Sequence, residues 1–209
     1  MAISYSQISL YERCAFAYHC RYKQKLEEPE SEALKRGIKI HNKIESYIKG
    51  NRKTLKDASK IKKFIDEIKK MDAKAEEFWH FNKNWEVVND WDWLVVKIDV
   101  YCIPKKGILR LIDWKTGKPW PEHQKQLHLY ATAGFSAYHC HTVECFATYV
   151  DTGASTVYVF KEHQYESMKN TWNQRISKLE KEKKWRMNPG FHCKWCNFGR
   201  SKEGPCSYG

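Results

Sequence analysis

Between Leu94 and Trp114 the chain reads as a β-hairpin, and the charges this hairpin carries limit what can surround it. Leu94, Val96, Ile98, Val100 and Cys102 alternate with Val95, Lys97, Asp99 and Tyr101, the period-two pattern of a strand. Pro104, Lys105, Lys106 and Gly107 read as a turn, and Ile108 to Trp114 as the returning strand. With Lys105, Lys106 and Gly107 as a three-residue loop, Pro104 faces Ile108, and counting back along both strands sets Asp99 opposite Asp113. Directly opposed strand residues lie roughly 5 Å apart, where like charges are unfavourable unless something neutralises them. A divalent cation is the natural neutraliser. A one-residue slip would send the two carboxylates to opposite faces, so the expectation rests on the turn length.

The same period places Lys115 on the face of Asp113, giving an Asp-x-Lys set that points one way. Hard oxygen ligands suit Mg2+ or Mn2+, which polarises a phosphodiester and acidifies a bound water, while a lysine orients that water or stabilises developing charge. A lone Asp-x-Lys is more often a surface ion pair, since the tripeptide is common by chance. Two further pairs bear on the choice. His41 and Glu45 stand four apart on one helix face, and Gln126 and Tyr130 stand four apart on the helix after the hairpin. A single histidine beside an apolar stripe is by itself more often a core residue than a ligand.

Around the hairpin the periodicities give helices first, then strands and helices mixed. Ser4 or Ser6 caps a first helix running to about Lys25; Leu34, Ile38, Ile44 and Ile48 mark the buried stripe of a second; a third covers Lys56 to Phe78. After the hairpin come a helix over Glu122 to Tyr138, strands over Glu144 to Asp151 and Thr156 to Phe160, and a helix over Gln164 to Trp185. The expected class is α/β with a mixed central sheet. With 209 residues, no repeat and no Pro/Gly/Ser linker, a single domain is expected, helical over 1–80, sheet over 85–160, and a helix with a tail over 161–209.

Lys and Arg outnumber Asp and Glu by 37 to 25, and a formal charge of +12 favours a polyanionic partner, nucleic acid before others. Each lysine run taken alone is better read as a solvated helix face. No apolar run approaches the length of a bilayer span, so no membrane partner is expected. The start MAISYSQISLYERC has neither the basic opening nor the apolar stretch of a secretory signal, so a cytoplasm-like compartment with reduced thiols is expected. Eight cysteines there are metal ligands or small packing residues. Cys193 and Cys196 form a Cys-x-x-Cys, Cys206 follows nine residues later, and Cys14 and Cys20 in the first helix are the competing fourth ligands. Zinc and iron–sulphur sites use these same soft ligands. Cys102, Cys140 and Cys145 read as packing residues. Trp79, Trp85, Trp91 and Trp93 precede the hairpin, mostly as core, and any exposed member is a surface for stacking unpaired bases.

SYSQISLYERC, RGIKIHNKIE, KIDVY, LIDWKTGK, QLHLYA and FHCKWC follow one another in an order that resembles the RecB-like branch of PD-(D/E)XK nucleases, including its iron–sulphur members of CRISPR-associated, replication-helicase-linked and phage origin. The resemblance runs nearly end to end. It implies a restriction-endonuclease-like core; His41, Asp99 and Asp113 as metal ligands with the Trp114 carbonyl; Lys115 as the catalytic lysine; and Gln126 and Tyr130 as a QxxxY element. It also implies a 4Fe-4S cluster on Cys14, Cys193, Cys196 and Cys206, with zinc as the alternative. The activity implied is Mg2+- or Mn2+-dependent cleavage of DNA, as an exonuclease on free or single-stranded ends in recombination, replication or repair, with a phage-like context acting in a host cytoplasm. The alternative from another class is a non-catalytic DNA-binding or assembly module that retains the fold. A purely structural zinc protein leaves the opposed carboxylates unexplained.

Overall fold

The computed structural model describes residues 2–209. In chain order the elements are β1 (Ile3–Ser4), α1 (Tyr5–Arg13), α2 (Ala15–Tyr18), α3 (Glu32–Ile48), α4 (Lys62–Lys69), β2 (Lys74–Phe81), β3 (Val87–Val88), β4 (Leu94–Lys105), β5 (Ile108–Lys115), α5 (Pro121–Ala137), β6 (Thr142–Tyr149), β7 (Ser155–Lys161) and α6 (Tyr165–Lys181). The chain packs as two compact units, one built on Glu32–Trp172 and the other on Ile3–Ser31 with Asn173–Gly209. Among the described residues no helix is long and apolar enough to cross a membrane.

The first unit holds a mixed sheet in the order β3-β2-β4-β5-β6-β7. All neighbours are antiparallel except β5 and β6, which run parallel and are joined by α5. A parallel pair needs such a crossover, and a strand covered on both faces carries a nearly continuous apolar run, as Leu109, Leu111, Ile112 and Trp114 do in β5. On one face, Ile40, Ile44, Ile48, Ile61 and Ile65 from the helical segments pack on Val100, Ile112 and Trp114. On the other lies α5, whose Leu127 carbonyl accepts a hydrogen bond from the Cys145 thiol. The expected α/β class with a mixed central sheet is what the chain forms.

Three expectations need correction. The stripe of the second helix is Ile40, Ile44, Tyr47 and Ile48, while Leu34 and Ile38 are 52% and 46% exposed, because the buried face turns to the sheet only from the middle of α3 onward. The third helix is α4 alone: Asp72 takes a left-handed backbone that ends the helical run, and Lys74–Phe81 becomes strand β2. The first helix breaks at Cys14, whose extended backbone separates α1 from α2, and Ser4 makes no side-chain cap there.

In the second unit α1 and α2 are followed by a π turn over His19–Lys23. The tail returns to them: Trp185 stacks on Tyr18 at 5.5 Å and on His19 at 5.3 Å, Asn188 Nδ2 donates to the Arg13 carbonyl at 2.9 Å, and the Phe16 amide donates to the Arg186 carbonyl at 3.2 Å.

Gly134 marks how closely α5 sits on β5, since a Cβ there would stand 2.9 Å from Leu109 Cδ2 and 3.4 Å from Leu111 Cδ1. A bulkier residue must push the helix off the strand. Gly134→Leu is expected to lower unfolding stability by about 1–3 kcal/mol in urea titrations, the usual cost of overpacking; an unchanged midpoint would show that this seam is loose.

Candidate active site

The hairpin register depends on two irregularities that cancel. Lys105 pairs with Ile108, so the turn is Lys106 and Gly107 rather than the expected three residues, and Gly107 supplies the left-handed backbone such a turn needs. A bulge between Cys102 and Lys105 then shifts the ladder by one, giving Cys102 opposite Arg110 and Val100 opposite Ile112. Continuing that register places Asp99 opposite Asp113. Both are buried, at 6% and 2% exposure.

Groups from α3, α5 and the end of β5 itself close on this pair. The His41 Nε2–H on α3 donates to the Trp114 carbonyl at 2.8 Å, which turns Nδ1 toward Asp99 Oδ2 at 3.4 Å. The Trp114 amide donates to the same Asp99 oxygen at 2.9 Å. Lys115 Nζ lies 2.6 Å from Asp113 Oδ2 and donates to Gln126 Oε1 at 2.8 Å, and Gln126 Nε2 donates to the Tyr130 hydroxyl at 3.0 Å. Tyr130 is only 3% exposed, so it holds Gln126 from behind. The structure therefore brings together His41, Asp99, Asp113, Trp114, Lys115, Gln126 and Tyr130.

Glu45 points elsewhere, pairing with Lys49 at 2.7 Å. The carboxylate that joins the cluster is Glu76 on β2, absent from the sequence reading. His41, Glu76 and Asp99 each offer a ligand atom, all within 4.8 Å of one another. Glu76 sits between the Ala75–Val100 and Glu77–Ile98 pairs, hence beside Asp99, with φ of 57°. A left-handed glutamate in mid-strand costs on the order of 1–3 kcal/mol, a strain found chiefly where function needs it. Its other neighbour is Lys97, with which it forms an ion pair.

The electrostatics show an excess of negative charge. Burial pushes the Asp113 carboxyl up to about 6, a rise that Lys115 opposes and the nearby Asp99 reinforces. Burial also works against ionised Asp99, but His41, the Trp114 amide and Lys115 outweigh it and hold that carboxyl below its ordinary range. Burial lowers His41, and the charges of Asp99 and Asp113 more than compensate, so the imidazole titrates above its usual value. An imidazole whose Nε2–H is committed to a carbonyl presents Nδ1 to a carboxylate, which requires a positive charge between them: a proton or a metal ion. Asp113 Oδ2 has a cation beside it yet no donor aligned for a hydrogen bond. Three carboxylates, one imidazole and a free carbonyl lone pair at Trp114 suit a hard divalent ion.

In the second unit Cys14, Cys193, Cys196 and Cys206 line one cavity, with Ala17 and Phe198 among its walls. Cys20 does not line it. That thiol is fully buried and pushed up to about 11, first by burial and then by the neighbouring Cys196, Cys206 and Cys14. The tail is tightly wound there: a Cβ on Gly204 would fall 2.3 Å from the Phe198 carbonyl, whose oxygen accepts the Cys206 amide at 2.9 Å. The apart-lying Cys102 and Cys145 are buried in the sheet and Cys140 is half-buried.

Compared with known proteins, the chain matches the sequence profile of the PD-(D/E)XK nuclease superfamily over residues 2–91 and 78–201. No curated protein matches it. The solved structure described as "Crystal structure of SSO0001" is similar in fold, with a TM-score of 0.52 and 18% identity, covering 100% of this chain and 88% of that one.

The site predicts a pH-dependent response to cations. Asp113 titrates higher folded than unfolded, so the stability carried by its proton is present below the unfolded value and lost as pH rises through about 6. Above that pH the uncompensated charge weakens the fold, and a bound cation has most to offset. Mg2+ or Mn2+ should raise the melting temperature more at pH 8 than at pH 5 in thermal-shift measurements; equal rises at both would remove Asp113 from the cation site.

Proposed function

Because the chain belongs to the PD-(D/E)XK nuclease superfamily, we propose that it is a Mg2+- or Mn2+-dependent DNA nuclease acting through His41, Glu76, Asp99, Asp113 and Lys115. The observation that carries this reading is the junction of Asp113 and Lys115 on one strand with Asp99 and Glu76 converging from two other strands and His41 from helix α3. When bound, the cation supplies polarisation of the phosphodiester and a water acidic enough to attack at neutral pH.

The protein's own groups prepare the rest. His41, Glu76, Asp99, Asp113 and the Trp114 carbonyl would hold the ion. Lys115, fixed between Asp113 and Gln126, presents its ammonium group toward the attacking water and offsets charge developing on the phosphoryl oxygens. Gln126 sets the direction of that ammonium, and Tyr130 sets Gln126. The +12 net charge provides sequence-independent attraction to the DNA backbone.

Action on single strands and free ends is supported by the aromatics of the outer sheet. Trp91 and Phe78 are 59% and 50% exposed, in contact with each other and with His80 and Lys97, whereas Trp79, Trp85 and Trp93 are buried. Exposed rings beside a lysine suit unpaired bases, which duplex DNA withholds. The resulting role is exonucleolytic processing in recombination, replication or repair.

For the cysteine cavity we infer a 4Fe-4S cluster held by Cys14, Cys193, Cys196 and Cys206. What supports this reading is that all four thiols line one cavity of the second unit, the soft-ligand set that an iron–sulphur cluster takes. The role of such a cluster is to tie the tail to the N-terminal helices.

Asp113→Ala and Lys115→Ala should each lower turnover of end-labelled single-stranded DNA by a thousandfold or more, while filter binding without cations changes little. Normal turnover in either would overturn the active-site assignment. Linear DNA should be consumed and closed circular DNA spared; equal attack on circles would replace exonuclease with endonuclease.

Protein purified without oxygen should be brown and contain four irons and four sulphides per chain, with colour lost in Cys14→Ser and Cys193→Ser. One zinc per chain in colourless protein would refute the iron assignment, and an unaltered cluster in Cys14→Ser would move the fourth ligand to Cys20.

A further inference from the structure

Beside the catalytic lysine lies a cavity of about 300 Å³ that the steps above leave unused. Its lining includes Trp120, His123, Ala147, Tyr149, Thr156 and Tyr158. The sheet register fixes its position. Asp113 pairs with Ala147 and Lys115 with Tyr149 across the β5–β6 ladder, and Ala147 pairs in turn with Thr156 on β7. Partners across a ladder share a face, so the floor of the cavity and the catalytic pair lie on one side of the sheet, one to two strand spacings apart, about 5–10 Å. That is the separation between a phosphate and the base of its own or the adjoining nucleotide.

The walls suit a flat heteroaromatic ring. Trp120 projects 65% exposed at the start of α5, set between Pro119 and Pro121, and Tyr149 and Tyr158 contribute two more rings. The small side chain of Ala147 leaves room at the floor. Polar atoms stand at the edge: His123 Nδ1 lies 3.0 Å from the Tyr149 hydroxyl, and Thr156 brings a hydroxyl on the other side. The volume is at the low end for small-ligand sites, large enough for a single base and too small for a base pair with its backbones.

We propose that this cavity receives one unpaired nucleobase of the substrate strand, next to the phosphate being cut, with Trp120 as its stacking wall. The proposal rests on the nuclease reading. It makes the site read strandedness at the point of chemistry: a base enters only once it has left its partner, so a paired strand presents its phosphate without this contact. The floor residues are direct ladder neighbours of Asp113 and Lys115, so a seated base aligns the phosphate with both.

The test is equilibrium binding in EDTA, where nothing is cut, using a fluorescent dT12 and a matched 12-mer of abasic sites. Trp120→Ala removes the wall and Thr156→Trp fills the cavity; both positions are at least partly exposed. Each variant should weaken dT12 binding on the order of tenfold and leave the abasic ligand unchanged. Equal losses on both ligands, losses on neither, or a wild type that binds both ligands alike would each overturn the proposal. Failure of the nuclease reading shows separately, as wild-type protein that leaves labelled DNA uncut with Mn2+ while the EDTA measurement still reports on the cavity.

Discussion

Gathering three carboxylates, two of them buried, is the condition around which the first unit is organised. Asp99, Asp113 and Glu76 come from three strands, and without compensation their mutual repulsion in a poorly solvated site would open the sheet. His41 and Lys115 supply part of the compensation, and each is fixed by what it touches: His41 by the Trp114 carbonyl, Lys115 by Gln126. This explains why α3 and α5, which cover opposite faces, both send one polar side chain to the same place. The apolar stripe of α3 seats the helix, and the register of that stripe leaves His41 directed at the ladder end.

The reading of the hairpin from sequence succeeded through a compensation that sequence does not display. A two-residue turn alone would have displaced Asp99 by one place, and the bulge at Cys102–Lys105 restores it. The alternation of Leu94 to Cys102 identified β4, and the short, nearly continuous apolar run between Gly107 and Lys115 identified β5. Glu76 was illegible for the opposite reason. Its surroundings, from Lys56 onward, are rich in helix-favouring Lys, Glu and Ala, and the switch to strand is made by a left-handed Asp72 and by pairing with β4, a long-range contact. The nearby aromatic run Phe78, Trp79 and Phe81 was the only local sign of a strand. The tryptophans likewise had no exposure to read until β2 and β4 paired, which buried Trp79 and Trp93 and left Trp91 outside.

Glu45 shows how spacing misleads when it is the sole argument. Positions four apart share a helix face, and both Glu45 and His41 do so, yet a lysine one turn further along takes the glutamate. Helical spacing fixes which side a residue is on; the partner is decided by whichever complementary charge costs least to reach. For His41 that was a buried carboxylate and a strand-end carbonyl, for Glu45 an exposed ammonium.

The two ends of the chain meet by a different logic. The second unit has short helices interrupted at Cys14 and a tail of single turns, so little regular structure fixes its backbone. Its cohesion comes from stacked rings around Trp185, a few backbone bonds and the cavity into which four cysteines open. The break at Cys14 falls at that cavity: its backbone is extended, its amide donates to the Leu10 carbonyl at 2.9 Å and its carbonyl accepts the Tyr18 amide at 3.1 Å, so one residue ends α1 and begins α2 while lining the cavity. Gly204, which admits no Cβ against Phe198, closes the return of Cys206 in the same way. Under the proposed cluster assignment, bridging those sulphurs would stabilise a segment shaped by their placement and make folding of this unit and occupation of its cavity a single equilibrium.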